Sequence, residues 1–168
     1  MTITTLRPEE WKVYKSLRLE GLKESPLAFG KTYEEEVAIE DDIWKDRLIR
    51  TQKGELWHFF AKHEDTCVGM IGGYRDPLKK FNHIVHIVSV YVRPEFRGMG
   101  IGKKLFTEFM NAVQKDTTVK KVKLMVVDSQ DAAKHMYEAA GFRQVGIQQQ
   151  ELHHEGVYYD EIIMEKII

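Results

Sequence analysis

The spacing of apolar and polar residues changes several times along this chain, and the changes predict an α/β fold. Residues 84–92 read Ile-Val-His-Ile-Val-Ser-Val-Tyr-Val, a β-branched and aromatic run typical of a buried strand. Residues 103–116 predict a helix, because their apolar side chains recur at helical spacing. Residues 122–127 predict another strand, and residues 130–140 predict a helix that ends at Gly141.

The two ends of the chain continue this alternation. We expect a strand over residues 3–6, a helix opened by Pro8 with the acids behind it, and a second helical region over about 33–51. Two hairpins follow from the remaining apolar runs: residues 56–61 with 67–74, and residues 142–152 with 157–167. The order of helices and strands predicts one α/β domain with a mixed sheet.

The junction between residues 84–92 and the next helix carries the first chemical signal. Pro94 ends the strand, and residues 97–102 then read Arg-Gly-Met-Gly-Ile-Gly. A glycine-rich turn at a helix start leaves backbone N–H groups unpaired and adds the positive end of the helix dipole, which favours a phosphate. The turn lacks the Lys-Ser/Thr of a P-loop and the acid about 20 residues on that a dinucleotide site needs. A turn that binds nothing stays the alternative.

A second motif lies in residues 130–142, which read Gln-Asp-Ala-Ala-Lys-His-Met-Tyr-Glu-Ala-Ala-Gly-Phe. Together with the Arg-x-x-Gly-x-Gly of the glycine turn, this segment closely resembles the GNAT superfamily of acetyl-CoA-dependent N-acetyltransferases. The family pattern Asn-x-x-Ala-x-x-x-Tyr-x-x-x-Gly-Phe is matched at Ala133, Tyr137, Gly141 and Phe142. It is not matched at Gln130, which keeps an amide on a longer side chain.

The resemblance implies a single N-acetyltransferase domain over residues 1–168, with a mixed, mostly antiparallel sheet of six to seven strands flanked by helices. It implies that acetyl-CoA, as co-substrate and without a metal, acetylates a primary amine of a small molecule or of a protein N-terminus by direct attack in a ternary complex. A non-catalytic acyl-CoA-binding regulatory module of the same fold is the alternative. A nucleotide-binding protein of another class is a third reading, disfavoured by the missing P-loop and dinucleotide residues.

The resemblance also implies which residues hold the co-substrate. The pyrophosphate is expected on the backbone of the glycine turn, with a direct cationic contact from Arg97. The pantetheine arm is expected to bond the backbone at the end of the preceding strand, where a splay from the next strand would free these groups. Gln130 is expected near the pantetheine or acetyl group, or as a helix cap. The cofactor-binding set is thus Val90, Tyr91, Val92, Arg97, Gly98, Met99, Gly100, Ile101, Gly102, Lys103, Gln130 and Tyr137.

Two side chains are the catalytic candidates. The family uses a tyrosine at the position of Tyr137 to donate a proton to the departing thiolate, and a phenol with a pKa near ~10 is protonated at neutral pH. His86 occupies the strand position where some relatives carry a glutamate base, and imidazole, with an ordinary pKa near ~6.5, suits that role. Packing roles are the alternatives for both. Glu35, Glu36 or the cluster 158–161 could also supply the base or bind the amine.

Composition narrows the class but not the acceptor. The chain has 168 residues, 30% of them charged, with a net charge of −1, which fits one globular domain and argues against a general nucleic-acid binder. We find no apolar run of membrane-spanning length and no signal peptide, so we expect a cytoplasmic protein, with a homodimer left open. Cys67, the only cysteine, is expected to be a small buried hydrophobe. The acids at 34–36 would suit a cationic amine, although such a run is usually a solvated helix face.

Overall fold

A computed structural model describes residues 1–168, and it contains seven strands and five helices. The strands are β1 (Thr2–Thr4), β2 (Leu56–His63), β3 (Thr66–Arg75), β4 (Ile84–Val92), β5 (Lys121–Val127), β6 (Arg143–His154) and β7 (Val157–Ile167). The helices are α1 (Trp11–Glu24), α2 (Tyr33–Val37), α3 (Asp41–Gln52), α4 (Ile101–Gln114) and α5 (Asp131–Ala139). Short 3-10 turns cover Pro8–Glu10, Pro26–Ala28 and Pro94–Phe96.

All seven strands form one mixed sheet in the order β1-β2-β3-β4-β5-β7-β6. Only the central pair, β4 and β5, is parallel, and the other neighbours are antiparallel. The parallel pair needs a crossover, which α4 supplies. The predicted fold class, a mixed and mostly antiparallel sheet flanked by helices, is confirmed.

Two apolar clusters lie against the sheet. The larger contains the apolar side chains of α4, among them Leu105 and Phe109, packed with β3, β4, β5 and β7. The smaller contains side chains of α1 and α3 packed with β2 and β3, around Trp44 and Phe60. Residues 85 and 87 of β4 belong to the first cluster and Tyr91 to the second, so β4 contributes to both faces of the sheet.

The structure differs from the predicted elements in several places; the first strand, for example, covers Thr2–Thr4 rather than residues 3–6. The helical region expected over 33–51 is two helices, because the chain is extended at Glu40, with φ −60° and ψ 147°, between α2 and α3. Helix α4 starts at Ile101, two residues earlier than expected, and so includes the last glycine of the turn. His153 and His154, which fall in the predicted turn between residues 142–152 and 157–167, are the last residues of β6. None of the helices has the length and apolar character needed to cross a membrane.

Candidate active site

The site begins where β4 and β5 separate. The two strands pair only over Ile84–His86 and Lys121–Lys123, and beyond His86 they diverge. On the other side of β4, the register with β3 shifts between Met70 and Gly72, which is the signature of a bulge. Ser89 lies in this bulge with a φ of +60°. The bulge and the divergence together open a cleft between two strands of one sheet.

The cleft has a volume of about 1000 Å³ and continues toward the helices of the smaller cluster. Its walls include both catalytic candidates, Tyr137 and His86, as well as Gln130. The 3-10 turn Pro26–Ala28 and the end of β6 complete its opening. The structure thus brings to one cavity residues that lie 51 positions apart in the chain.

The glycine turn presents a row of free backbone donors. The N–H groups of residues 98–103 form no hydrogen bond within the chain, and the first helical bond of α4 runs from Lys104 N–H to Gly100 C=O. Gly98 and Gly100 have φ values of +76° and +75°, and no heavy atom lies within 4 Å of a Cβ built at either. Unpaired N–H groups at a helix start, with open space in front of them, suit an oxyanion such as a pyrophosphate.

The guanidinium of Arg97 forms its hydrogen bonds with other residues of the chain. Its Nε donates to the carbonyl of Val92 at 2.9 Å, and its Nη2 bonds Ser25 Oγ at 3.0 Å and the carboxylate of Glu24. These bonds tie the turn to the end of α1, so positioning the turn is the role that the geometry gives to this side chain. The side chain of Lys103 is exposed at the start of α4.

The residues at the end of β4 do not all direct their backbone N–H and C=O groups to the same side of the strand. The bond from Arg93 N–H to Val68 C=O fixes which residues of β4 face β3, since bonded and non-bonded pairs alternate in an antiparallel ladder. Tyr91, opposite Met70, therefore turns its backbone groups to β3, and its side chain is buried against α1. Val90, which lines the cleft, and Val92 turn theirs away from β3, and the carbonyl of Val92 already accepts from Arg97.

Tyr137 lies on α5 between the core and the cleft. Its side chain is 5% exposed and packs against Phe106 and Phe142. The hydroxyl makes no hydrogen bond within the chain, and burial raises the pKa of Tyr137 above its ordinary value. Gln130 is the N-cap residue of α5, but its side chain forms no capping hydrogen bond. Its amide therefore stays unpaired at the cleft wall.

His86 is held in one orientation at the point where the strands part. Its Nε2 lies 3.2 Å from Oδ2 of Asp76, and its ring stacks on Tyr74 with centroids 5.1 Å apart. The N–H of Leu78 bonds the other carboxylate oxygen of Asp76 and, together with the imidazole, lowers the pKa of Asp76. An ionised Asp76 can only accept, so the proton of neutral His86 sits on Nε2 and the lone pair on Nδ1.

A buried ionic cluster lies beside the cleft and is not visible in the sequence pattern. Glu36 is 1% exposed, and its carboxylate receives two hydrogen bonds from Arg47, at 3.0 and 3.3 Å. Arg18 Nε and Lys31 Nζ each lie 3.5 Å from the same carboxylate. Burial favours a raised pKa for Glu36, but the Arg47 hydrogen bond and the three positive charges outweigh it and lower the pKa. The acidic residues 34–36 were expected on a solvated helix face. Glu36 is instead buried, where it is the counter-ion of these three cations.

A neutral histidine lies next to this cluster. His58 is buried on β2, with Thr51 Oγ1 2.8 Å from its Nδ1 and Tyr14 Oη 3.4 Å from its Nε2. Because Thr51 donates its only proton to the carbonyl of Arg47, it accepts from Nδ1–H of His58. Burial lowers the pKa of His58 to about 3, and the nearby arginines add to this effect.

Two glutamates line the opposite wall of the cleft. Glu161 of β7 and Glu151 of β6 both face it. Burial and the negative charge of Glu151 raise the pKa of Glu161, whose carboxylate forms no hydrogen bond or ion pair within the chain. The sequence singled out Glu161 only as a member of the candidate cluster 158–161. It did not single out the neighbouring Glu151.

The only thiol of the chain lies outside the cleft. Cys67 of β3 is buried in the smaller cluster, as predicted, and burial raises the pKa of its thiol. A thiol kept protonated and away from the cleft is not placed to form a covalent intermediate.

Comparisons with known proteins agree with this fold. The closely superimposable structures include a ribosomal-protein-alanine N-acetyltransferase from Brucella melitensis (19% identity, all of both chains covered, TM-score 0.85). A GNAT-family acetyltransferase from Streptococcus pneumoniae aligns over 99% of both chains with 18% identity and a TM-score of 0.88. A phosphinothricin acetyltransferase from Sinorhizobium meliloti, solved in complex with acetyl-CoA, aligns over 99% of this chain and 88% of its own, with 16% identity and a TM-score of 0.83. Residues 19–142 match the model of the acetyltransferase (GNAT) family, and the chain belongs to that family.

Proposed function

We propose that this protein is an acetyl-CoA-dependent N-acetyltransferase that acts on a primary amine by direct attack in a ternary complex. The observation that carries the proposal is the cleft between β4 and β5. Free backbone N–H groups lie beyond its β4 wall, where the chain turns into α4, and an unpaired phenol and an Asp-supported imidazole lie along its walls. Anion binding, proton removal and leaving-group stabilisation are what acetyl transfer from a thioester requires.

Acetyl-CoA is proposed to bind with its pyrophosphate on the N–H groups of residues 98–103. The pantetheine arm then lies along the open side of β4, where Val90 and the N–H of Val92 offer backbone bonds in place of a missing strand. Tyr91 contributes by packing rather than through its backbone, since its backbone groups face β3. The unpaired amide of Gln130 is available to the pantetheine or the acetyl group.

His86 is proposed to take the proton of the attacking amine. A primary alkyl amine with a pKa near ~10.4 is mostly charged at neutral pH, so it must lose a proton before it can attack. The carboxylate of Asp76 holds Nε2–H and leaves Nδ1 as the accepting atom. Proton transfer to a positioned base of this kind contributes about 10²–10⁴-fold to the rate.

Tyr137 is proposed to stabilise the leaving group. Because burial raises the pKa of Tyr137, the phenol stays protonated and donates a hydrogen bond to the thiolate as the C–S bond breaks. A thiol has an ordinary pKa near ~8.5, so its thiolate is a weaker base than this phenolate. The contribution of Tyr137 is therefore a hydrogen bond to developing charge rather than complete proton transfer.

A screen of amines with acetyl-CoA tests this proposal. Release of free CoA thiol above the rate without amine, together with the acetylated amine identified by mass spectrometry, is the expected result. Binding of acetyl-CoA with no turnover of small amines or peptide N-termini would favour the non-catalytic acyl-CoA-binding module instead.

A further inference from the structure

The buried cluster around Glu36 has more positive than negative charge. Arg18, Lys31 and Arg47 share the one carboxylate of Glu36. Among the other cations at the cleft, Arg50 has Glu55 at 3.1 Å and Arg75 has Asp116, whereas Lys123 of β5 forms no ion pair. Burial is the main cause of the lowered pKa of His58, and the charges of Arg47, Arg18 and Arg50 lower it further. A net positive, poorly solvated group at a cleft attracts an anion.

Arg18 is the member of the cluster that has a buried N–H group without a hydrogen-bond partner. The residue is 8% exposed, and its only hydrogen bond runs from Nη1 to Ser89 Oγ in the bulge of β4. Its Nε is buried without a hydrogen-bond partner, because the carboxylate of Glu36 at 3.5 Å is poorly aligned with it. The side chain lines the cleft, and its guanidinium lies over the ring of Phe29 with 4.7 Å to the centroid. A buried guanidinium with unsatisfied N–H groups is costly unless a ligand supplies an acceptor. Nη2, which forms no hydrogen bond within the chain and is not fully buried, is the group that a ligand in the cleft would meet.

Arg18 is joined through Ser89 to β4, the strand that carries the proposed base His86. Ser89, its partner, lies three residues along β4 from His86, at most roughly 10 Å, because the bulge at Ser89 shortens the strand. The glutamates of the opposite wall, Glu161 and Glu151, supply negative charge for an ammonium group. The cleft therefore has a cationic side at Arg18 and an anionic side at Glu161 and Glu151.

We propose that the acceptor is a small amine that also carries an anionic group, with a carboxylate in the manner of an amino acid. The carboxylate binds at Arg18, with Lys31 and Arg47 adding charge, and the amine lies toward His86 and Glu161. This inference rests on the proposed function and narrows it, because a polyamine or a peptide N-terminus lacks a carboxylate at the required place.

The test compares matched acceptors. Amino acids, their carboxamides and the corresponding amines without a carboxyl group are assayed with acetyl-CoA by thiol release. The same compounds are added with CoA in a thermal-shift assay. We expect the amino-acid form to exceed its amide by about 10-fold or more in kcat/KM, as one charge-assisted hydrogen bond to Arg suggests.

Three variants and a control locate the effect. Arg18→Gln is expected to lose most of the preference, mainly through KM, and Arg18→Lys to restore part of it. Arg50→Gln, which removes a cleft cation that Glu55 already neutralises, is expected to keep the preference. Lys31→Gln, at a half-exposed position, is expected to lose a smaller part of the preference for the amino-acid form. This variant tests the role of the cluster if Arg18→Gln does not fold.

The outcomes separate this inference from the proposed function. Turnover of amides, polyamines or peptides as efficient as that of amino acids would overturn the inference and leave acetyl transfer standing. A thermal shift with amino acids that Arg18→Gln abolishes, without any turnover, would support anion recognition and overturn acetyl transfer. Neither turnover nor a thermal shift with any amine would overturn both.

Discussion

The Nε2 atom of His86 lies 3.2 Å from the Oδ2 atom of Asp76, at the last residue where β4 still pairs with β5. The two side chains come from different segments, since Asp76 lies just beyond β3 and His86 lies within β4. Their contact joins an oriented imidazole to the opening of the cleft.

Removing the imidazole tests the proposed base. We expect His86→Ala to lower kcat/KM at neutral pH by about 10²-fold or more, because unassisted free amine alone then reacts. The acidic limb of the kcat/KM profile should move to higher pH in this variant. Asp76→Asn should give a smaller loss, because it frees the imidazole to adopt the wrong tautomer.

His83→Ala is the matched control, since this histidine precedes β4 and does not line the cleft. Its pH profile should equal that of the wild type. Glu161→Gln tests the competing base on the opposite wall. An acidic limb that moves in Glu161→Gln but not in His86→Ala would transfer the role to Glu161.

Tyr137→Phe separates chemistry from packing. The hydroxyl makes no hydrogen bond within the chain, so its removal should change the free energy of unfolding by less than about 1 kcal/mol. We expect kcat to fall by about 10²-fold or less, near the low end for one positioned proton donor, with the CoA-induced thermal shift retained. A variant with the kcat of the wild type would make Tyr137 a packing residue only.

Gly100→Val should abolish the thermal shift by CoA, because its side chain would occupy the space in front of the free N–H groups. The substitution also strains the backbone, since φ is +75° there. Gly54→Val is the matched control, because Gly54 has a φ of +74°, an equally open Cβ position and no place at the cleft. Both variants should lose stability, but only Gly100→Val should lose the response to CoA. Equal thermal shifts in the two folded variants would contradict the proposed pyrophosphate site.

Gly73→Ala should destabilise the protein. A Cβ at this position of β3 would lie 2.4 Å from Phe109 Cζ and 3.0 Å from the carbonyl of His86, so the helix or strand must shift. The expected loss is about 1–3 kcal/mol in the free energy of unfolding, measured by urea denaturation. Gly146→Ala is the strand control, because its Cβ would meet only Ile163 at an ordinary 3.6 Å.

His58 should make stability depend on pH. Its pKa falls from 6.5 to about 3 on folding, so the unfolded chain binds the proton first. The stabilisation is complete above the unfolded pKa of ~6.5 and is lost as the pH falls toward the folded value. The free energy of unfolding should drop by about 1.4 kcal/mol per pH unit below ~6 relative to His58→Gln. His135→Gln, at an exposed position of α5, should keep the slope of the wild type.

The sequence was informative where the chemistry is local. Two continuous sequence motifs contain the glycine turn, the start of α4 and Tyr137. The spacing within and between these motifs predicted where these residues lie in the fold. The partners of Glu36 come from three separate segments, and no spacing rule brings Arg18, Lys31 and Arg47 together. The bulge at Ser89 is a property of strand pairing, and the bonds of Arg97 reach 72 and 73 residues back to Ser25 and Glu24. Tertiary packing decided these features, and it turned an apparently acidic groove into one with excess positive charge.

Initial rates with acetyl-CoA and an amine acceptor varied together test the central claim most directly. Direct attack in a ternary complex predicts intersecting double-reciprocal lines, with no acetyl group on the protein by intact-mass analysis. Parallel lines with an acetylated protein would indicate a covalent intermediate. That result would contradict both the direct attack and the exclusion of Cys67.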